Sequence, residues 1–192
     1  LSTDEKIARE FALSGEADLI VNILDASNLE RNLFLTSQLL DMGVPLVCAV
    51  NMQDVAEREG IYIDPVVLSN RLGVPVVPIV ASSGKGLDQL KRVVAHALEH
   101  PSVATPLLRP DADLQQAIDD LAAHIEGLHA NAHWSATRIL ENDSYASDIL
   151  PSPQRDAILA KAQELRSHLE QTHKQPLDVL LAHSRYRAIQ SV

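Results

Sequence analysis

The sequence predicts an α/β domain built on a parallel sheet, followed by a small all-α helical bundle. Three apolar runs without alternation, residues 17–25, 45–50 and 74–80, are separated by segments of helical periodicity. Runs of this kind are typical of parallel strands that helices cover on both faces. No strand pattern returns after residues 101–110, which contain three prolines. The two halves of the chain therefore belong to different fold classes.

The proline-containing stretch sets the predicted domain boundaries. Proline fixes φ and lacks a backbone N–H, so closely spaced prolines interrupt regular structure. We predict the α/β domain over residues 1–100, a linker over 101–110 and the helical domain over 111–192.

The helices of the first half are predicted from the spacing of apolar residues. Residues 29–42 present a leucine-rich face and end at Gly43, a residue typical of helix C-termini. A helix-and-turn region follows the second strand, and residues 86–100 form the last helix of this half. The predicted inner side of that helix consists of Leu87, Leu90, Val93, Val94, Ala97 and Leu98.

Four helices are predicted in the second half. Residues 111–128 carry apolar side chains at helical spacing, and a second helix covers 135–142. A third starts at Ser152, where the proline that follows suits a first helical turn, and the last covers 177–189. Trp134 is predicted to anchor the core of this bundle.

Composition excludes several classes of protein. The chain has 192 residues and a net charge of -10. Because nucleic-acid-binding surfaces concentrate Lys and Arg, this charge argues against a nucleic-acid partner. The single cysteine, Cys48, lies in an apolar run, which predicts a buried thiol and a reducing compartment. No apolar stretch reaches the ~18 residues of a membrane span, so we expect a soluble chain.

The first candidate site follows the second predicted strand, and in parallel α/β sheets ligands bind beyond the carboxyl ends of strands. Asn51, Met52, Gln53 and Asp54 have the N-x-x-D outline of the guanine-recognition motif of GTPases. A carboxylate can accept hydrogen bonds from both the N1–H and the exocyclic amine of guanine, whereas adenine offers neither donor there. We expect Asp54 to reject a wrong base by about 3–5 kcal/mol. The Asn51 amide is predicted to donate to guanine N7 and to brace neighbouring loops.

Two interpretations of Met52 stay open: a packing residue, or a side chain that lies along the plane of the base.

The second candidate site is the loop after the third strand, where Ala81, Ser82 and Ser83 precede Gly84. A tight loop of small residues can direct a main-chain N–H, that of Ser82, at guanine O6. Adenine carries an amine at that position and would be rejected.

Neither motif is specific alone. N-x-x-D occurs by chance in many proteins, where Asn caps a helix and Asp lies in its first turn. The order of strand, NMQD, helices, strand and small-residue loop favours the nucleotide-binding interpretation, because guanine recognition needs both motifs at one edge of the sheet.

Several segments carry a family resemblance. DASNLERNL, starting at Asp25, resembles the strand-to-helix junction of FeoB ferrous iron transporters, and NMQD has the Met that is characteristic of that family. Residues 4–9 resemble the helix after the family's switch region. Residues 133–143 and 182–186 are similar to recurring segments of its helical domain. The resemblance covers nearly the whole chain.

The resemblance implies a partial P-loop GTPase-type parallel sheet followed by a GDI-like helical domain that favours GDP retention. It implies a cytosolic region that binds GTP and GDP at the cytoplasmic face of the bacterial inner membrane. It also implies attachment to an Fe²⁺ permease domain of the same polypeptide, and it leaves a homo-oligomer open.

One departure from the family pattern is large: neither G-x-x-x-x-G-K-[ST] nor D-x-x-G occurs in these residues. We expect these motifs, and with them Mg²⁺ binding, to belong to a segment upstream of Leu1. No catalytic residue is therefore predicted here, and slow GTP hydrolysis is expected only of a longer parent protein.

The histidines, a second GTPase family and a protein of another class offer alternative interpretations. His124, His129 and His133 approach one helix face, but only the last two have ligand spacing and no carboxylate is expected beside them, so no metal site is predicted. Another GTPase family, of the ribosome-binding type, lacks support because no basic appendage is present. A non-catalytic helical adaptor on a degenerate α/β scaffold remains the alternative of a different class.

Overall fold

The computed structural model describes residues 7, 11–13, 16–129 and 131–192. The chain divides into two compact units, Leu1–Leu107 with Ile189–Val192, and Leu108–Ala188. The first contains a parallel sheet and the second is helical, so the predicted succession of fold classes is confirmed. The boundaries at residues 101 and 111 stay a prediction. The resemblance at residues 4–9 lies outside the described residues apart from Ile7.

The first unit is a three-stranded parallel sheet with helices, in the strand order β1-β2-β3. Its elements are β1 Ile20–Asp25, α1 Leu29–Met42, β2 Leu46–Asn51, α2 Gln53–Arg58, α3 Pro65–Leu72, β3 Val76–Pro78 and α4 Leu87–Glu99. Short 3₁₀ turns, Ala26–Asn28 and Ala81–Ser83, follow β1 and β3.

The bounds of α1 coincide with the prediction, and the end of the helix has a local cause. Gly43 adopts φ 70° and its N–H donates to the Leu40 carbonyl at 3.1 Å. The strand β3 is shorter than the apolar run that predicted it. The Ile79 N–H donates to the Val50 carbonyl at 2.8 Å, so the hydrogen bonding to β2 continues one residue beyond the end of β3.

The core of the sheet lies around β2, and the first five residues of this strand, 46–50, are buried. Ala49, Val77 and Ile79 form a cluster, and the half-buried side chains packed against it come from α4: Leu87, Leu90 and Val93. Leu98, predicted on the same inner side, is 49% exposed, so that assignment is wrong. It lies in the last turn of α4, beyond the residues that pack on the cluster.

The two faces of β1 differ. Asn22 and Leu24 are buried, whereas Val21 and Ile23 are exposed. The expectation that helices cover both faces therefore holds for β2 and fails for β1 within the described part of the chain.

Cys48 is fully buried in β2, as predicted from its apolar run. Burial raises the pKa of its thiol to about 12, because a thiolate would be desolvated there. A thiol held protonated in this way is a poor nucleophile, so Cys48 contributes packing.

Beyond residue 107 the chain forms α5 Ala112–Ile125, α6 Ala132–Leu140, α7 Ser144–Asp148, α8 Ser152–His173 and α9 Leu177–Gln190. Trp134 is 2% exposed, in keeping with its predicted core position. The helix α6 begins three residues before the predicted start, because the Asn131 side chain caps it by accepting the Trp134 N–H at 3.0 Å. The short α7 was not predicted; Asp143 caps it. None of the described helices has the length and apolarity to cross a membrane.

Candidate functional site

The carboxyl ends of the strands lie side by side. Asp25, the last residue of β1, pairs in register with Asn51, the last residue of β2. The hydrogen bond from Ile79 to Val50 brings the segment after β3 to the same edge. Both candidate motifs therefore leave the sheet at its carboxyl edge, where open α/β sheets bind ligands.

Met52 turns the chain sharply between β2 and α2. It adopts φ 61° and ψ 31°, a left-handed conformation that is unfavourable by roughly 1–2 kcal/mol for a residue with a Cβ. Its carbonyl accepts the N–H groups of Val55 at 3.0 Å and Ala56 at 3.1 Å, which starts α2. Strained backbone of this type is concentrated at binding sites. The Met52 side chain is 39% exposed.

The Asn51 side chain joins the two motifs. Its Oδ1 accepts the backbone N–H of Ala81 at 3.0 Å, across 30 residues of sequence. This bond uses the amide oxygen, and among the described residues the amide nitrogen, Nδ2, has no hydrogen-bond acceptor. The bracing role predicted for Asn51 is thus visible in its contact with the loop.

The loop after β3 is a compact turn. The Val80 N–H donates to the Lys85 carbonyl at 3.0 Å, and inside this pair the Ser83 N–H donates to the Val80 carbonyl at 3.1 Å. Ala81, Ser82 and Ser83 are all exposed. Within the described part of the chain, the Ser82 N–H donates to no protein acceptor. Its donor is therefore available to a ligand.

Asp54 lies in the first turn of α2, and its side chain is 52% exposed. It lines a cleft of about 300 Å³, and the other wall of this cleft is formed by residues on either side of the loop after β3. The lining residues are Gln53, Asp54, Glu57, Pro78, Ile79, Val80, Lys85, Gly86 and Gln89. The cleft thus joins Asp54 to both ends of the loop, while Asn51, Met52 and residues 81–83 lie outside its lining.

Asp25 organises the turn after β1, a structural role that its place in the DASNLERNL segment did not by itself indicate. Its carboxylate accepts the Ser27 hydroxyl at 2.7 Å, the Ser27 N–H at 2.9 Å and the Asn28 amide at 3.3 Å. The Ser27 hydroxyl is the largest cause of a lowered Asp25 pKa, followed by the Ser27 N–H. The D-x-S spacing could have indicated this turn. Because the folded-state pKa is depressed, the turn is stabilised at neutral pH and loses that stabilisation as the pH falls through this pKa.

The histidines of the helical unit have ordinary partners. His124 Nδ1 lies 2.8 Å from the Asp120 carbonyl, and His129 Nδ1 lies 2.8 Å from the Ser135 hydroxyl. His133 Nε2 lies 3.3 Å from Asp119 Oδ1. A carboxylate therefore does stand beside one of these histidines, contrary to the sequence-based expectation. No group of three or more His, Cys, Asp or Glu converges on a point among the described residues.

We expect Asn51→Ala to release the loop after β3. The substitution removes the acceptor for the Ala81 N–H, at a cost of about 1 kcal/mol in the free energy of unfolding. The Ala81 amide should then exchange its hydrogen faster, as measured by NMR. Ser83→Ala removes only the hydroxyl that donates to the Val80 carbonyl at 3.2 Å and serves as control. Unchanged exchange at Ala81 in the Asn51 variant would contradict the bracing role.

A parallel sheet whose carboxyl edge carries an N-x-x-D turn and a small-residue loop has the architecture of a GTPase-type domain, here followed by a helical domain. The comparisons with known proteins agree. Residues 1–94 match the family described as Ferrous iron transport protein B, and residues 111–192 match the FeoB cytosolic helical domain. The chain belongs to the FeoB family and corresponds to its N-terminal cytosolic region.

Curated relatives include the Fe(2+) transporter FeoB of Salmonella typhimurium, 44% identical over 150 residues, covering 76% of this chain and 19% of the relative. The Fe(2+) transporter FeoB of Escherichia coli is 36% identical over 199 residues, covering 100% of this chain and 24% of the relative. The chain thus spans about a fifth to a quarter of the length of these relatives.

Solved structures of similar fold include an S. thermophilus NFeoB mutant bound to GDP, with a TM-score of 0.86 and 31% identity over 99% of this chain and 74% of that one. The cytosolic domain of L. pneumophila FeoB has a TM-score of 0.81 and 35% identity over 99% of this chain and 72% of that one. These comparisons confirm the GTPase-type sheet and the helical domain.

Proposed function

We propose that this chain is the guanine-recognising and helical part of the cytosolic region of a ferrous iron transporter, and that it binds GTP and GDP through their base. The observation that carries the proposal is the hydrogen bond between Asn51 and Ala81. It holds the NMQD turn and the small-residue loop together at the carboxyl edge of the sheet. The GDP-bound structure of an NFeoB relative supports the choice of nucleotide.

The base would be recognised on three sides. Asp54 accepts from the guanine N1–H and exocyclic amine, the Ser82 N–H donates to O6, and Asn51 Nδ2 donates to N7. Met52, Ala81 and Ser83 shape the surface around the base. Two features of the described residues support these roles: Ser82 N–H has no protein acceptor, and Asn51 uses only its oxygen within the protein. Asp54 and the Ser82 N–H each meet their opposite on guanine and a mismatch on adenine, whereas N7, the acceptor for Asn51, is common to both bases.

The phosphates and Mg²⁺ need groups that these 192 residues do not supply, because the sequence contains no phosphate-loop motif. We therefore assign GTP hydrolysis, the Mg²⁺ site and Fe²⁺ permeation to a longer polypeptide of which this chain is the cytosolic, membrane-adjacent part. The helical unit is assigned a regulatory role in retaining GDP. These assignments follow from membership in the family and from the relatives' names as Fe(2+) transporters.

Nucleotide-dependent stabilisation tests the proposal. In the longest natural polypeptide that carries these residues, GDP should raise the melting temperature in a saturable way, because it binds only the folded state. At a hundredfold excess over Kd the stabilisation is about 2.7 kcal/mol. ADP at equal concentration controls for phosphate binding alone and should have little effect. A helical adaptor on a degenerate scaffold predicts no saturable shift with either nucleotide, and that outcome would refute the proposal.

A further inference from the structure

Arg58 contacts Asp54 at two atoms. Its Nε donates to the Asp54 main-chain carbonyl at 2.9 Å, and its Nη2 lies 3.3 Å from the carboxylate oxygen Oδ2. The residues are four apart on α2, the spacing at which helical side chains meet. Within the described residues the second carboxylate oxygen, Oδ1, accepts no hydrogen bond. Oδ2 accepts from Arg58 and retains a second lone pair, so both carboxylate oxygens can accept hydrogen bonds from a ligand.

We infer that Arg58 is a positioning residue for base selection, an inference that rests on the proposed function. The guanidinium is planar and its donors have a fixed geometry. Because Arg58 Nε is bound to the main-chain carbonyl, the position of Arg58 Nη2 is fixed. Its hydrogen bond to Asp54 Oδ2 then fixes the position of that oxygen. The plane of the carboxylate is thereby set before a base arrives. An Asp54 side chain that is half exposed would otherwise rotate among its rotamers.

Orientation of the carboxylate matters more for guanine than for a base with a single donor. Guanine presents two parallel donors, the N1–H and the exocyclic amine, and a carboxylate meets both only when its plane is aligned with the base. Hypoxanthine lacks the amine and presents one donor, which several Asp54 rotamers can meet. Arg58 should therefore increase the preference for guanine over hypoxanthine.

The expected effect is modest because both side chains are largely exposed, 72% for Arg58 and 52% for Asp54. Ion pairs of this spacing on helix surfaces contribute little to stability, so a purely structural role would leave base preference unchanged. The change in preference is the informative quantity.

Arg58→Met is the test, since methionine keeps an unbranched stem and helix propensity but removes the donors. Affinities for GDP and IDP are measured by displacement of a fluorescent GDP from the longest natural polypeptide that carries these residues. The Kd for GDP should rise about threefold, and the Kd for IDP should rise less, so the IDP-to-GDP ratio falls. Arg58→Lys keeps the charge without the two-atom contact and should give an intermediate ratio.

Arg71→Met, which removes an exposed arginine from the last turn of α3, is the matched control and should leave the ratio unchanged. An unaltered ratio in Arg58→Met, or an equal loss for both nucleotides, would overturn the inference. Asp54→Asn separates it from the proposed function. If that variant loses GDP while Arg58→Met changes nothing, only the role of Arg58 fails; if Asp54→Asn binds GDP normally, the proposed function fails.

Discussion

Asp54→Asn is expected to weaken GDP binding by about two to three orders of magnitude, or roughly 3–4 kcal/mol. The carboxylate offers only acceptors to the two donors of guanine. The amide offers one acceptor and one NH₂ group, which opposes the exocyclic amine and leaves two donors face to face. Xanthine carries a carbonyl in place of that amine, so the variant should gain affinity for XDP. Displacement of fluorescent GDP by GDP and XDP measures both changes.

The control is Glu57→Gln, which removes a neighbouring carboxylate that lines the same cleft. It loses the same charge but no predicted contact with the base, so its Kd for GDP should stay within about twofold of the parent value. The assignment of Asp54 would be wrong if both variants bound GDP equally well, or if XDP gained nothing from the Asp54 substitution.

Gly86→Ala is expected to destabilise the first unit by about 3 kcal/mol or more. Gly86 has φ 84°, where a Cβ is unfavourable, and it precedes α4 on the wall of the cleft. A Cβ built there would lie 2.3 Å from the Pro78 carbonyl oxygen and 3.1 Å from the Ile79 Cα. Both are backbone atoms in or next to the sheet, so relief requires moving β3 or the loop that Asn51 holds.

Gly84→Ala separates backbone strain from the clash. Gly84 has φ 75°, yet nothing lies within 4 Å of a Cβ placed there. Its cost should be limited to the left-handed conformation, about 1 kcal/mol. The stability of both variants is measured from the urea dependence of thiol labelling at Cys48. This single thiol is buried in β2, so its labelling reports opening of the sheet. If Gly86→Ala and Gly84→Ala lowered the free energy of unfolding equally, the close approach of residue 86 to Pro78 would contribute nothing to the destabilisation.

Much of the fold could be predicted because its causes are local. The helix Leu29–Met42 ends where Gly43 permits a left-handed turn, and β2 is apolar from Leu46 to Val50 because it is the central strand. The prolines and the loss of strand patterning after them separate the helical half. Two errors have local explanations as well. Asn131 caps α6 three residues before its predicted start, and Asp143 caps the short α7, whose sequence has no apolar periodicity that would predict a helix.

The candidate site was predictable in position but not in geometry. Strand ends converge on one edge of any parallel sheet, so Asn51, Asp54 and the loop after β3 were expected to approach each other. The contact between Asn51 and Ala81 and the shared cleft of Asp54 with Val80 depend on distances across 30 or so residues. The assignment of these residues to guanine remains a prediction that the binding experiments decide.

The amino-acid sequence by itself determined the order of fold classes, the bounds of α1, the starts of α8 and α9, and the family, because periodicity, capping residues and motifs act over a few neighbouring residues. The contact of Arg58 with Asp54 is local to α2. Only the tertiary structure decided that Met52 takes a left-handed turn and that Asn51 uses its amide oxygen to hold the loop after β3. These features depend on where separate strands and turns meet in space, and on which of several rotamers packing allows. The sequence pattern determines neither these meeting points nor the rotamers.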